Sequence, residues 1–330
     1  MRFLTVGLMA AAATAFTLSS TVAVKAEEII IKFSVVTSGT HPKNLAAEAF
    51  TQRVNKELAG KVKVEFFPGS QLFNDDKVMI ELIKGSSVQM AAPSLSKFES
   101  ITKKFRIFDL PFLFDDIEAV DKFQKSDAGQ QILRSMEKKG ILGKQFWHNG
   151  MKQMSANKPL LVPEDASGLK FRVQQSDVLV AQFKQLSAVP QKMAFAEVYG
   201  ALQTGVVDGQ ENTWSNIFTK KFFEVQDGIT ETNHGIIDYA VIVSKRFWNG
   251  LPDDIRTQLD TILAEVTAEY NAKSHAVNMA ARQKVLDSGG KIRSLSPEQR
   301  AAWKAAMKPV WDQFADEIGR DLIDAAQATN

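Results

Sequence analysis

Residues 62–70 read VKVEFFPGS: Val62, Val64 and Phe66 fall on one face of a strand, and Pro68-Gly69-Ser70 stops it. The units on either side complete a pattern. Upstream, EIIIKFSVV (28–36) reads as a first strand, and after THPKN (40–44) Ala46, Phe50, Val54 and Leu58 recur at fourfold spacing before Gly60, as a helix requires. Downstream, DDKVMIELIKG (75–85) reads as a short helix closed by its glycine, and SVQMAAPS (87–94) as a returning strand. A β-α-β-α-β order predicts a parallel sheet covered by helices, hence an α/β fold.

In IFDLPFLFDD (107–116), Phe108, Leu110, Phe112 and Phe114 read as core packing around the Pro111 bend. Residues 117–139 read as a charged helical segment and ILGKQFW (141–147) as a strand, after which NGMKQMSANKPL (149–160) and GLKFRV (168–173) begin a second alternating set. The first crossing between domains is placed near Gly150. SNIFTKKFFEVQ (215–226) reads as helical and DYAVIVS (238–244) as a buried strand with Tyr239 at its start. From Asp253 to about Leu286 no Gly or Pro interrupts a helical pattern; at 1.5 Å per residue it spans roughly 50 Å, long enough to bridge two lobes. A last helix has Ser296 as cap, Pro297 in the first turn, Gln299 in the capping-box position, and Trp303, Met307, Val310, Trp311 and Phe314 as a core stripe. The resulting division is 27–149 with 238–277 as one lobe and 150–237 with 278–330 as the other.

The 330 residues, 45% hydrophobic and 24% charged, suit a soluble protein of about two domains. Residues 1–26 stand apart: Arg2, the apolar run LTVGLMAAAATAF and the small residues of Val24-Lys25-Ala26 read as a cleaved signal peptide. Its removal takes Arg2 and Lys25 from 40 basic residues, leaving 38 against 38 acidic ones, so the mature chain is near neutral. That balance argues against nucleic acid, whose phosphates call for an excess of basic residues. Without cysteine there is no disulfide framework, thiolate metal site or lipid attachment point. Export without an anchor points to the periplasm or to secretion, and a monomer is expected.

Motifs of nucleophilic, phosphate-binding, zinc or dinucleotide chemistry are lacking: no GxSxG, GxxxxGK[ST], HExxH or GxGxxG. His41, His148, His234 and His275 are too far apart in sequence to suggest a metal cluster, so no metal and no cofactor are expected. The pairs Asp75-Asp76, Asp115-Asp116 and Asp253-Asp254 all fall at helix starts, where negative charge complements unpaired amides.

Binding chemistry is carried by two segments. In GLKFRV, alternation puts Leu169, Phe171 and Val173 on one face and aims Lys170 and Arg172 away from it. Such an arginine serves as a solvated residue, an interdomain salt bridge, or a planar fork gripping a carboxylate. Eighteen residues on, PQKMAFAEVYGALQTGVVDGQENTW (190–214) is helical up to Gly205 and then turns through VVDGQEN into an aromatic; Asp208 and Glu211 stand where loops meet ligands, although turn hydrogen bonding accounts for Asp208 equally well.

GLKFRV, MAFAEVYGALQTGVVDGQEN and the TNH of 232–234, in order with GKVKVEFFPGSQL, PFLF and NGMKQMSANKPL, closely resemble the solute-binding proteins of tripartite ATP-independent periplasmic (TRAP) transporters over the whole mature chain, and most of all the C4-dicarboxylate-binding members. The resemblance implies a two-lobed α/β periplasmic binding protein that closes on an organic acid and delivers it to a membrane permease, without catalysis. It assigns Arg172 to clamp a ligand carboxylate, Phe195 to pack on the ligand and Asn212 to hydrogen-bond the carboxylate. Where sialic-acid-binding relatives carry an arginine in NGTRQ this chain has Lys152, and Ser94 stands where they place a glutamate, which disfavours an amino sugar acid. Lys43 and Trp214 follow the dicarboxylate-binding pattern, and Tyr239 lies where a cleft contact is expected. On charge count, Arg172 takes one carboxylate while Lys43 or Lys152 neutralises the other, as a succinate, fumarate or malate requires. Another carboxylate, a sensor partner in place of the permease, and a secreted enzyme acting on an organic acid remain as alternatives.

Overall fold

The computed structural model describes residues 27–85 and 87–330, and the expected leader, 1–26, lies outside them. Strand β1 (Ile29–Ser34) pairs in parallel with β2 (Val62–Phe67) and with β3 (Met90–Ala91). The links are helices α1 (Pro42–Glu57) and α2 (Asp75–Lys84). Helix α1 starts where the His41 side chain accepts from the Lys43 amide and Pro42 gives up an amide that would have had no partner. It buries Ala46, Phe50 and Val54 against Phe33, Val62 and Val64. Gly85 ends α2 in the left-handed region at φ 74°, where a glycine carries no steric penalty.

The first sheet is mixed, in the order β2-β1-β3-β10-β4, because the long strands β4 (Ile141–Met151) and β10 (Ile236–Ser244) run antiparallel to each other, and β10 antiparallel to β3. Helices α3 (Ile117–Lys125) and α4 (Asp127–Arg134) precede β4; the segment read as one helix divides at Ser126, whose hydroxyl accepts the Gly129 amide and caps α4. All nine residues of β10 are buried, in keeping with a strand covered on both faces.

The second sheet has the order β11-β9-β5-β8-β6-β7, built from β5 (Gln153–Ala156), β6 (Lys170–Val173), β7 (Val189–Lys192), β8 (Gly209–Asn212), β9 (Gly228–Glu231) and β11 (Ile292–Ser294). Helix α5 (Asp177–Gln185) links β6 to β7, α6 (Val198–Gln203) links β7 to β8, and α7 (Trp214–Thr219) leaves β8. The chain passes from the first sheet to the second between Met151 and Gln153 and returns between Glu231 and Ile236. After α8 (Lys245–Asn249), the 35-residue helix α9 (Asp253–Asp287) bridges the lobes. Its Leu259, Leu263 and Val266 belong to the core around the first sheet, its Ala281 and Val285 to the core around α6 and α7.

The C-terminal stripe does not stay on one helix. Helix α10 (Pro297–Met307) keeps the capping box of Ser296 and Gln299 and packs Trp303 and Met307 with Phe171 and Phe183. Pro309 then lacks the amide that a continuing helix needs, and α11 (Val310–Ile318) and α12 (Arg320–Gln327) start afresh. Val310, Trp311 and Ile323 join the cluster of Phe105, Phe108 and Phe123. The chain beyond Val310 therefore packs against helices of the first lobe as well as against α5 of the second.

Candidate functional site

Between the two sheets lies a cavity floored by Arg172 and Asn212 and walled by residues of both lobes. Strand β6 buries Phe171 and Val173 in the second-lobe core and turns Arg172 the other way, into this cavity. Arg172 is 2% exposed; its Nε and Nη2 donate to the Met193 carbonyl at 3.1 and 2.9 Å. Those two bonds fix the plane of the fork and leave Nη1 and the second Nη2 hydrogen for a ligand, the edge that meets a carboxylate end-on. Burial lowers the Arg172 pKa to about 10 against the pull of Glu211, Asp76 and Asp75, so the group stays charged at neutral pH.

Phe195, just before α6, lines the same cavity and holds an edge-on contact with Phe222 at 6.0 Å. From the first lobe come Ser94 and Tyr239, which pair through an isolated β-bridge, together with Thr37, Asp75, Asp76 and Lys97. The hydroxyls of Thr37 and Ser94 are buried without a hydrogen-bond partner among the described residues. Contacts across the cleft hold the lobes together: Gln174 donates to Ser96 at 3.2 Å, the Glu99 carboxylate accepts the first amide of α5 at 2.9 Å, and Arg106 reaches Asp177 at 2.8 Å.

Three of the residues expected in the site are elsewhere. Lys43 is buried in the wall behind Tyr239, its Nζ donating to the Ala92 carbonyl at 2.9 Å and lying 3.9 Å from the Tyr239 ring centroid. Burial, only partly offset by Asp75, lowers its pKa to about 8. Lys152 is locked to Glu211 at 2.9 Å, and the other oxygen of Glu211 meets His234 at 2.7 Å; all three side chains are buried. Burial alone would raise the Glu211 pKa, but Lys152 and then His234 outweigh it and hold it at about 2. The TNHG turn fits this triad closely, since a Cβ on Gly235 would come within 2.7 Å of Lys152 Cε. Trp214 packs with Ile217, Phe222 and Ile229, its ring covered by Arg282 at 5.7 Å.

Sequence reasoning missed Lys97, Thr37, Asp75, Asp76 and Asn216. Lys97 reaches the cavity with its Nζ 3.0 Å from Asp76. The two aspartates do occupy the first turn of α2, the structural place read for them, yet that turn also opens onto the cleft. Desolvation raises the Asp75 pKa in spite of Lys43 and Lys97. Among the described residues no group of His, Asp or Glu is arranged to hold a metal ion.

A model of the family described as bacterial extracellular solute-binding protein, family 7, matches residues 33–317. The C4-dicarboxylate-binding periplasmic protein DctP of Vibrio cholerae is 60% identical over 304 residues, 92% of this chain and 91% of that one. The protein of the same description from Rhodobacter capsulatus is 48% identical, over 96% of this chain and 95% of that one. Among solved structures, a TRAP periplasmic solute-binding protein from Shewanella oneidensis with bound succinate superposes with a TM-score of 0.91 at 48% identity, covering 92% of this chain and 100% of that one. One from Pseudomonas aeruginosa with bound L-malate gives 0.84 at 48% identity, covering 86% and 99%. A charged fork buried between two lobes and the likeness along nearly the whole chain lead to one assignment: this protein belongs to family 7 of the bacterial extracellular solute-binding proteins, the binding proteins of TRAP transporters.

Proposed function

We propose that this protein captures a C4-dicarboxylate in the periplasm, after removal of residues 1–26, and presents the closed form to a TRAP permease. The observation that carries this reading is the free edge of the Arg172 fork in an interlobe cavity. One carboxylate sits on that edge, with Asn212 beside it and Phe195 against the carbon chain. The second falls to Lys97 and the unpaired hydroxyls of Thr37 and Ser94, because Lys97 lines the cavity whereas Lys43 and Lys152 lie outside its lining. A diacid touching both lobes favours closure by the contacts it makes only in the closed state. The diacids bound by relatives in this family are of the size and charge that the cavity's two cations match.

Calorimetry with succinate and malate tests the assignment. Arg172→Ala is expected to weaken binding by about 3–5 kcal/mol, because closure would then bury a carboxylate without its partner. Unchanged affinity in that variant would remove the proposed role of the cavity.

A further inference from the structure

Asn216 stands in the first turn of α7 and lines the cavity; its Oδ1 is buried and has no hydrogen-bond partner among the described residues. The orientation of that amide is set from a distance. Gln226 donates its Nε2 to the backbone carbonyls of Asp208 at 3.3 Å and Val225 at 3.0 Å, so its Oε1 is an acceptor. Ser155 spends its one hydroxyl hydrogen on that Oε1 at 2.8 Å and accepts from Gln210 Nε2 at 2.8 Å. Gln210 Oε1 then accepts from Asn212 Nδ2 at 2.9 Å, and Asn212 Oδ1 from Asn216 Nδ2 at 2.6 Å. Backbone carbonyls only accept, so every link in the relay has one polarity. Turning Asn216 over by itself would set two carbonyl oxygens against each other at the 2.6 Å link. The relay crosses the second sheet through the paired positions Ser155 and Gln210 and leaves Asn216, a cavity-lining residue beside Tyr239, with its acceptor, not its donor, unengaged.

A dicarboxylate dianion such as succinate carries only acceptors and leaves Asn216 Oδ1 unpaired when the lobes close over it. A 2-hydroxy diacid brings one donor. We propose that Asn216 is a specificity residue, oriented by Gln226, Ser155, Gln210 and Asn212, that accepts a hydrogen bond from the C2 hydroxyl of a malate-type ligand and sets that ligand above succinate. The inference rests on the diacid reading given above. Its physical basis is that a site built around a buried acceptor discriminates against an analogue lacking the matching donor, since the desolvated acceptor then goes unpaid.

Calorimetry on the mature chain with L-malate, D-malate, succinate and 2-methylsuccinate tests it, the last compound matching malate in size without a donor. One malate enantiomer is expected to bind at least about tenfold more tightly than both succinate and 2-methylsuccinate. In Asn216→Leu that ratio falls to within about twofold, through weaker malate binding. Gln226→Leu, at the far end of the relay and outside the cavity lining, lowers the ratio while leaving succinate affinity in place, an effect that a packing role would not produce. Wild-type protein that binds malate and succinate equally, or either variant keeping the full ratio, overturns the inference and leaves the diacid reading standing. Wild-type protein that binds none of the four overturns both. Should Asn216→Leu not fold, the wild-type ratio and the Gln226→Leu ratio decide.

Discussion

Two buried basic side chains in this protein, Arg172 and Lys152, look alike in burial and differ in what they are for. Arg172 spends two of its five N–H groups on one backbone carbonyl and keeps an edge toward the cavity. Lys152 gives its charge to Glu211, which His234 also contacts. A buried charge with spare hydrogen-bonding capacity can gain a ligand, whereas one with a matched counter-charge can only lose its partner. On the proposed function the first therefore serves binding, and the second serves folding.

The sharpest way to break that distinction is to remove Glu211. Glu211→Ala is expected to cost about 3–5 kcal/mol in urea denaturation, because Lys152 is left as an uncompensated buried charge. The double change Lys152→Met with Glu211→Leu should recover most of that loss, since an apolar pair of similar volume carries no desolvation penalty. If the single variant is as stable as the wild type, the triad is not the structural element argued here. Arg172→Ala, by contrast, should unfold at close to the wild-type urea concentration while losing its ligand.

A third charged cluster sharpens the comparison through pH. His148, on β4 four residues before Lys152, lies between Asp238 at 2.8 Å and Asp121 at 3.0 Å. Burial lowers its pKa, but Asp238 and Asp121 outweigh this and raise it to about 9. A histidine whose folded pKa lies above its unfolded value, near 6.5, contributes stability that is fully present below about pH 6.5 and is lost as pH rises through about 9. The wild type minus His148→Gln stability difference should therefore shrink by up to about 3 kcal/mol between pH 6 and pH 10. A difference that stays flat across this range would mean that His148 is held neutral.

The smallest effect belongs to the cavity's second cation. Lys97→Ala is expected to weaken diacid binding by about 1–2 kcal/mol, less than Arg172→Ala because a lysine already paired with the half-exposed Asp76 gains less from a ligand. A monocarboxylate of the same length should be nearly indifferent to this change. Equal losses for both ligand classes would mean that Lys97 supports the cleft wall without reading the second carboxylate.

Much of the architecture was legible because it depends on local periodicity. The alternation of VKVEFF, the fourfold spacing of Ala46, Phe50, Val54 and Leu58, and the uninterrupted run after Asp253 each have one conformation that buries their apolar side. The Ser296–Gln299 capping box was equally readable, whereas the helix after it was overextended because the apolar stripe persists through Pro309 into the next helix. Of the site, Arg172, Asn212, Phe195, Ser94 and Tyr239 line the cavity. Lys43 and Lys152 do not, since the sequence gives the sign of a charge and not the partner it meets, and Trp214 does not, since an aromatic suits an apolar core as well as a cleft.

By itself the sequence determined the order of strands and helices, the long bridge between lobes and the face of β6 that carries Arg172, because these follow from the pitch of a helix and the pleat of a strand. Tertiary structure alone decided which cations are free, which aspartates open onto the cleft and which way the Asn216 amide points. Those properties depend on groups far apart in the chain, such as Lys152 with Glu211 and Ser155 with Gln226, and hydrogen-bond polarity passes along the relay only once the second sheet has been assembled.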